Sequence, residues 1–116
     1  MGQKRLSDIA AVLQATVGWP SYLGTITSTG TSVNNHSTSS AFNNTGDALK
    51  GRMLQCQADA ACYMLPGTTN AAAVTSANGV LIPANGTYVV TMGENDGWLA
   101  VISVSGTANV KVWELT

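Results

Sequence analysis

Two cysteines, Cys56 and Cys62, stand six positions apart and are the first candidates for chemistry in this sequence. A structural zinc site needs four ligands, and the single histidine, His36, lies in a distant polar stretch. The Cys-x-x-Cys spacing of redox motifs is absent. In a β-hairpin, an odd loop centred on Asp59 would place the cysteines opposite each other, whereas a two-residue turn at Ala58-Asp59 would point them to opposite faces. For a protein that folds in a reducing cytosol, we expect two buried free thiols.

Acidic and nucleophilic residues give no catalytic pattern. His36 has many serine neighbours but no carboxylate nearer in sequence than Asp47, and no nucleophile-elbow motif occurs. The segment Glu94-Asn95-Asp96-Gly97 lacks the remaining ligands of a calcium loop. A carboxylate pair for glycoside hydrolysis would have to come from Asp8, Asp47, Asp59, Glu94, Asp96 and Glu114. Most of these stand beside Gly, Asn or Ala in predicted turns, where a solvated side chain is expected. We therefore expect a protein that is not an enzyme, with no catalytic residue, no cofactor and no metal site.

Three tryptophans, Trp19, Trp98 and Trp113, are the remaining side chains with a distinctive chemistry. Aromatic rings in a small β-domain can form a platform that stacks on sugars, but more often they fill a core or an interface. Trp19 stands at a Gly-Trp-Pro elbow between a predicted helix and the β-region, so it is the strongest interface candidate.

The composition favours a subunit of an assembly. At 116 residues the chain has room for one domain. Its net charge is −1 and its five basic residues are scattered, so no surface for nucleic acid is expected. Charged residues make up 9% of the chain, against about 25% in ordinary soluble domains. A surface of Ser, Thr, Asn and Gly avoids the desolvation cost of burying charges, although a secreted β-domain with a neutral surface is an alternative.

Residues 1–20 are predicted to form a helical arm. Ser7 can cap a helix, and Gly18 and Pro20 end it. An isolated helix this short is marginal in water, so its apolar stripe must dock on its own β-domain or on a neighbouring subunit. The stripe consists of Leu6, Ile9, Ala10, Leu13 and Val17. No continuous apolar core of a signal peptide and no stretch of 18 apolar residues occurs, so neither secretion nor a membrane-spanning helix is expected.

From residue 22 onward the sequence is typical of β-strands separated by turns. Predicted strands cover 22–27, 49–57, 60–65, 79–83, 87–92, 98–104 and 109–115, and a long polar loop covers 28–47. Asn85-Gly86 fits either a hairpin or the end of one strand and the start of another. Short strands at this spacing predict a sandwich or a small barrel. In Trp98–Ile102 both faces are apolar, so that strand is either central or covered by another subunit.

Residues 53–115 resemble a pattern of turns and apolar strands seen in small structural proteins of tailed bacteriophages. The matching segments are ADAACYMLPG (58–67), LIPANG (81–86), WLAVISVSGT (98–107) and NVKVW (109–113). The resemblance implies a virion β-sandwich, often a decoration (cement) protein or head-fibre component that trimerises on the capsid. The first 48 residues carry no motif of that family.

These observations together predict an all-β protein. We expect an antiparallel, jelly-roll-like β-sandwich over residues 21–116, preceded by the arm. The predicted function is a capsid decoration protein that binds the outside of a phage head as a trimer. Its partners would be further copies of itself and the major capsid protein, with no nucleic acid or membrane, and it would reside in the virion. Candidate interface residues are Leu6, Ile9, Leu13, Trp19 and Trp98. The alternatives are a carbohydrate- or receptor-binding module of a virion fibre and a head-tail connector component.

Overall fold

A computed structural model describes residues 20–37 and 49–115 of the chain. In this part the chain forms eight β-strands and a three-residue 3₁₀ helix, with no α-helix, which confirms the predicted all-β class. The elements are β1 (Ser21–Ser28), β2 (Val33–Asn34), the 3₁₀ helix (Asn35–Ser37), β3 (Met53–Ala58), β4 (Cys62–Gly67), β5 (Val80–Ile82), β6 (Thr87–Thr91), β7 (Trp98–Ser103) and β8 (Ala108–Glu114). The predicted helical arm lies outside the described residues.

The strands form two four-stranded antiparallel sheets. Sheet A has the order β1-β8-β3-β6 and sheet B the order β2-β7-β4-β5. Among the described strands, only β4 and β5 follow each other within one sheet; every other connection changes sheet. Because β1 lies against β2 and β7, the edge strands β1 and β2 share one side of the molecule. The other two edge strands, β6 and β5, therefore lie on the opposite side, where residues 83–86 join them.

One hydrophobic core joins the inner faces of the two sheets. Alternate residues of each strand point inward, as the period of two along a strand requires. Burying each large side chain of this set contributes about 1.5–3 kcal/mol. Sheet A supplies Ile26, Leu54, Cys56, Val110 and Val112, and sheet B supplies Cys62, Met64, Ile82, Leu99 and Val101.

The predicted hairpin around Asp59 is wrong. β3 pairs with β6 on one edge and with β8 on the other, so no edge of β3 is left for β4. Residues 59–61 instead carry the chain from sheet A to sheet B, and the Asp59 N–H donates to the carbonyl of Asn109 at 3.1 Å. Asn85-Gly86 likewise ends one strand and precedes another on the opposite sheet, which was one of the two predicted alternatives. Asn85 accommodates this turn with a φ of 61°.

Strand β7 is a central strand of sheet B, which is one of the two positions predicted for a strand that is apolar on both faces. It lies between β2 and β4, and residues 70–74 of the same chain form hydrogen bonds with residues 32–34, in and just before β2. The Asn34 Nδ2 donates to the carbonyls of Asn70 and Ala72 at 3.0 and 2.9 Å, and the Val74 N–H donates to Ser32 Oγ at 2.9 Å. Val74 is 1% exposed, so this loop contributes to burial within its own chain.

Candidate interaction surfaces

Both cysteines are buried, free thiols in the core. Cys56 projects inward from sheet A and Cys62 from sheet B, so neither of the two predicted hairpin geometries describes them. Burial raises the pKa of the Cys56 thiol to about 12, with a further contribution from the neighbouring Cys62. Burial, assisted by the charge of Asp59, raises the pKa of Cys62 to about 11. Both groups therefore stay protonated at neutral pH, where a thiol is a poor nucleophile and metal ligand.

The described part of the chain contains four carboxylate side chains, those of Asp59, Glu94, Asp96 and Glu114. Among residues 20–37 and 49–115, no group of three His, Cys, Asp or Glu side chains is placed to hold a metal ion. Asp59 accepts hydrogen bonds from the side chain and backbone of Asn109, which lower its pKa. Glu114 forms an ion pair with Arg52 at 2.9 Å. These contacts fix turns and strand ends and show no arrangement for proton transfer to a substrate.

His36 and Trp98 form a pair at the end of sheet B. Their rings meet edge to face with centroids 5.2 Å apart, and the His36 N–H donates to Asn34 Oδ1 at 2.7 Å. Trp98 is 5% exposed, so its own chain already covers nearly all of its surface. The assignment of Trp98 to an interface stays a prediction. The other candidates, Leu6, Ile9, Leu13 and Trp19, lie outside the described residues.

Exposed apolar side chains concentrate along the edge formed by β5 and β6. The described residues include six exposed large apolar side chains, and four of these belong to the two edge strands: Val80, Leu81, Tyr88 and Val89. Val80 and Tyr88 stand opposite the inward-facing Met64 and Cys56, yet they are 44% and 39% exposed. The two sheets thus leave this side of the core open. We call these four residues the β5–β6 rim.

The outer face of sheet A carries a second distinctive surface. Tyr22, Trp113, Gln55 and Val89 stand in register across all four strands and make one row. A parallel row consists of Thr25, Lys111, Gln57 and Thr87. The rings of Tyr22 and Trp113 meet edge to face with centroids 5.7 Å apart. We call these two rows the aromatic face.

Depressions on the described surface include the following two. One, of about 210 Å³, adjoins the aromatic face; Gln57, Ala58, Asp59, Asn85, Asn109 and Lys111 line it. The other, of about 440 Å³, lies on the outer side of sheet B; Gly30, Tyr63, Thr75, Ser76, Ile102, Ser103 and Val104 line it.

The sequence did not single out the rim residues or Tyr22. Val80, Leu81 and Val89 belong to apolar runs that predict ordinary core strands, and nothing local marks β5 and β6 as edges. Trp113 is one of the three tryptophans of the sequence, but its pairing with Tyr22 depends on the register between β1 and β8. The only local signal is the scarcity of charge along both edge strands.

Within the described residues, no helix is long and apolar enough to cross a membrane. Comparisons with known protein families, with curated protein sequences and with solved structures found no match to this chain.

Proposed function

We propose that this chain is a capsid decoration protein that binds the outside of a phage head as a trimer and stabilises the shell. The role of a structural subunit rests on the β5–β6 rim, which is the observation that carries the proposal. Its two strands contain no charged residue, and its apolar side chains are exposed in the single chain. Natural monomers usually protect such edges with Lys, Pro, bulges or covering segments.

We further propose that the two sheets form a jelly-roll sandwich. A jelly roll is an antiparallel ribbon, with the first strand paired to the eighth, the second to the seventh and so on, wrapped into two sheets. The pairs β1–β8, β2–β7, β3–β6 and β4–β5 follow this rule. The additional pairs β3–β8 and β4–β7 fit the wrapping of the ribbon. Viral capsid proteins use this architecture, although a fold alone does not define a function.

A second copy of the chain is the partner that suits the rim. Apolar patches depleted in charge are typical of the cores of homo-oligomeric interfaces. Strand β6 pairs with β3 without a register shift over five residues, so its outer edge presents regular backbone N–H and C=O groups to a neighbour. Three rims that meet around a threefold axis would cover Val80 and Tyr88, which face the gap between the sheets. They would also bring neighbouring chains against Leu81 and Val89, which flank that gap on the outer faces of sheets B and A. The helical arm, residues 1–20, would then extend to the capsid.

Attachment would stabilise the shell by mass action. A decoration protein that bridges neighbouring capsid subunits must dissociate before those subunits separate. At a free concentration one hundred times its Kd, each occupied site stabilises the intact shell by about 2.7 kcal/mol. The low charge of the chain, 9% of residues, suits a surface that is largely buried between other proteins.

The rim can be tested by its effect on self-association. The protein should sediment as a trimer, and Leu81→Asp should shift it toward monomer, because the new carboxylate would be buried against the neighbouring copies. Tyr22→Asp is the matched control, because Tyr22 is 57% exposed and Leu81 54%. Tyr22 lies on β1, the edge strand on the side of the molecule opposite β5 and β6. The wild-type protein should also pellet with phage heads and raise their disruption temperature.

A wild-type monomer whose mass is independent of concentration would contradict the trimer. Equal self-association of wild type and Leu81→Asp would contradict the rim as its interface. Failure of the wild-type protein to bind any head that lacks it, including heads of the phage that encodes it, would overturn the decoration role.

A further inference from the structure

We propose that the aromatic face binds a neutral oligosaccharide. This surface lies on sheet A, away from the β5–β6 rim except at Val89, and the inference does not depend on the proposed decoration role. The face combines an exposed Tyr22, a partly exposed Trp113 and two glutamines in adjacent rows. Aromatic rings pack against the apolar C–H faces of sugars, and side-chain amides can both donate to and accept from sugar hydroxyls.

A β-bulge in β1 places Tyr22 on this face. The register shifts between Tyr22 and Gly24, with Leu23 as the extra residue. With strict alternation, Tyr22 would share the inner face with Gly24 and the fully buried Ile26. The bulge instead turns Tyr22 outward beside Trp113, while Leu23 packs against the core. Bulges that redirect one side chain recur next to functional sites.

A polar cluster of Asp59, Asn109 and Thr27 borders the aromatic face beside Lys111 and is held in place by its own hydrogen bonds. Asn109 Nδ2 donates to Asp59 Oδ2 at 2.8 Å, and its Oδ1 accepts from Thr27 Oγ1 at 2.8 Å. The Asn109 N–H also donates to Asp59 Oδ1 at 2.7 Å. This amide is therefore fixed before a ligand arrives, which reduces the entropy lost on binding. No side-chain hydrogen bond to the described residues engages Gln55 or Gln57, so both amides are available to hydroxyl groups.

The charges and dimensions favour a short neutral glycan. Lys111 is the single cation of the two rows, and the carboxylate of Asp59 lies at the same end, so the local charge nearly cancels. Nucleic acid requires several cations to neutralise its phosphates. Along β8, Trp113, Lys111 and Asn109 alternate over about 13 Å, the rise of four residues in a strand. That length suits several linked rings better than one monosaccharide, with the depression of about 210 Å³ receiving the far end.

The test is binding of the full chain to an array of neutral hexose and N-acetylhexosamine oligosaccharides, followed by titration calorimetry with the strongest probe. Wild type should bind, and Tyr22→Ala should weaken binding about tenfold or more, which corresponds to the loss of one stacking contact. Gln57→Ala should weaken binding as well. Val104→Ala is the control, because Val104 is 53% exposed and lies outside both the aromatic face and the rim, so this change should leave sugar affinity unchanged.

The outcomes of these measurements test sugar binding by the aromatic face independently of the proposed trimer. No binding to any neutral probe at millimolar concentration would overturn the inference, even if the protein trimerises and decorates heads. Binding that survives both Tyr22→Ala and Gln57→Ala would place the sugar elsewhere and would also overturn it. Protection of Tyr22 and Trp113 from hydroxyl-radical labelling by capsid protein, but not by sugar, would assign the face to a protein partner instead.

Discussion

Covalent modification of the two cysteines should be blocked in the folded protein. The thiolate is the reactive form, and the pKa of Cys56 rises from the ordinary 9.0 to about 12. At pH 8 a thiol with the ordinary value is roughly one-tenth ionised, whereas one at about 12 is ionised in roughly one molecule in ten thousand. Protonation alone should therefore slow alkylation of Cys56 by about a thousandfold, and of Cys62, at about 11, by about a hundredfold. Both side chains are 0% exposed, which slows the reaction further.

The assay is alkylation with iodoacetamide at pH 8, followed by intact mass, with the protein unfolded in guanidinium as the reference. Native protein should react only through transient unfolding, so its rate should rise with urea in parallel with the unfolded population. The control is an exposed cysteine introduced at Val104, which is 53% exposed and should react at the rate of a free thiol. Modification of native Cys56 or Cys62 at a rate close to that of the introduced cysteine would show that burial does not protect these thiols.

The raised pKa values of the two thiols also determine whether stability rises or falls with pH in the alkaline range. Because the folded-state pKa values are raised, the folded protein binds more protons than the unfolded protein between pH 9 and about 12. The contribution of the thiols to the free energy of unfolding is fully present below pH 9 and is lost as the pH rises through about 11 and about 12. The Cys56→Ala/Cys62→Ala variant should therefore show a shallower alkaline decline in the free energy of unfolding. Identical declines in the variant and the wild type would contradict these shifts.

Two further predictions concern the loop over sheet B and the arm. Asn34→Ala should lower the free energy of unfolding by about 2 kcal/mol in urea titrations, because its side chain donates to two loop carbonyls. Asn95→Ala, a change at an exposed turn residue, is the control and should alter the free energy of unfolding by less than about 0.5 kcal/mol. An equal loss in both variants would contradict a stabilising role for the Asn34 hydrogen bonds. Deletion of residues 1–20 should abolish pelleting with phage heads while the circular dichroism of the β-domain is retained; unchanged pelleting would exclude the arm as the attachment element.

The strand positions were largely predictable, but their partners were not. Strand alternation and turn residues are local properties, and they identified most of the strands seen in the described residues. Pairing is not local: Ala58-Asp59 is compatible with a hairpin, yet β3 is already paired on both edges, so the chain crosses to the other sheet. The predicted burial of both cysteines was confirmed despite the wrong hairpin, because each strand keeps its own alternation whichever sheet it joins.

The β5–β6 rim and the aromatic face could not be predicted from the sequence, for a related physical reason. An apolar residue in a central strand fills the core, whereas the same residue in an edge strand can remain exposed, and the sheet order decides between the two. Tyr88 stands opposite the fully buried Cys56 of the central strand β3, yet Tyr88 is 39% exposed because β6 is an edge strand. Tyr22 is a stronger case, because only the extra residue at the bulge moves it from the inner face to the outer face. Both surfaces are therefore products of pairing between distant strands, and a substitution that removes the bulge should eliminate the aromatic face without disturbing the rim.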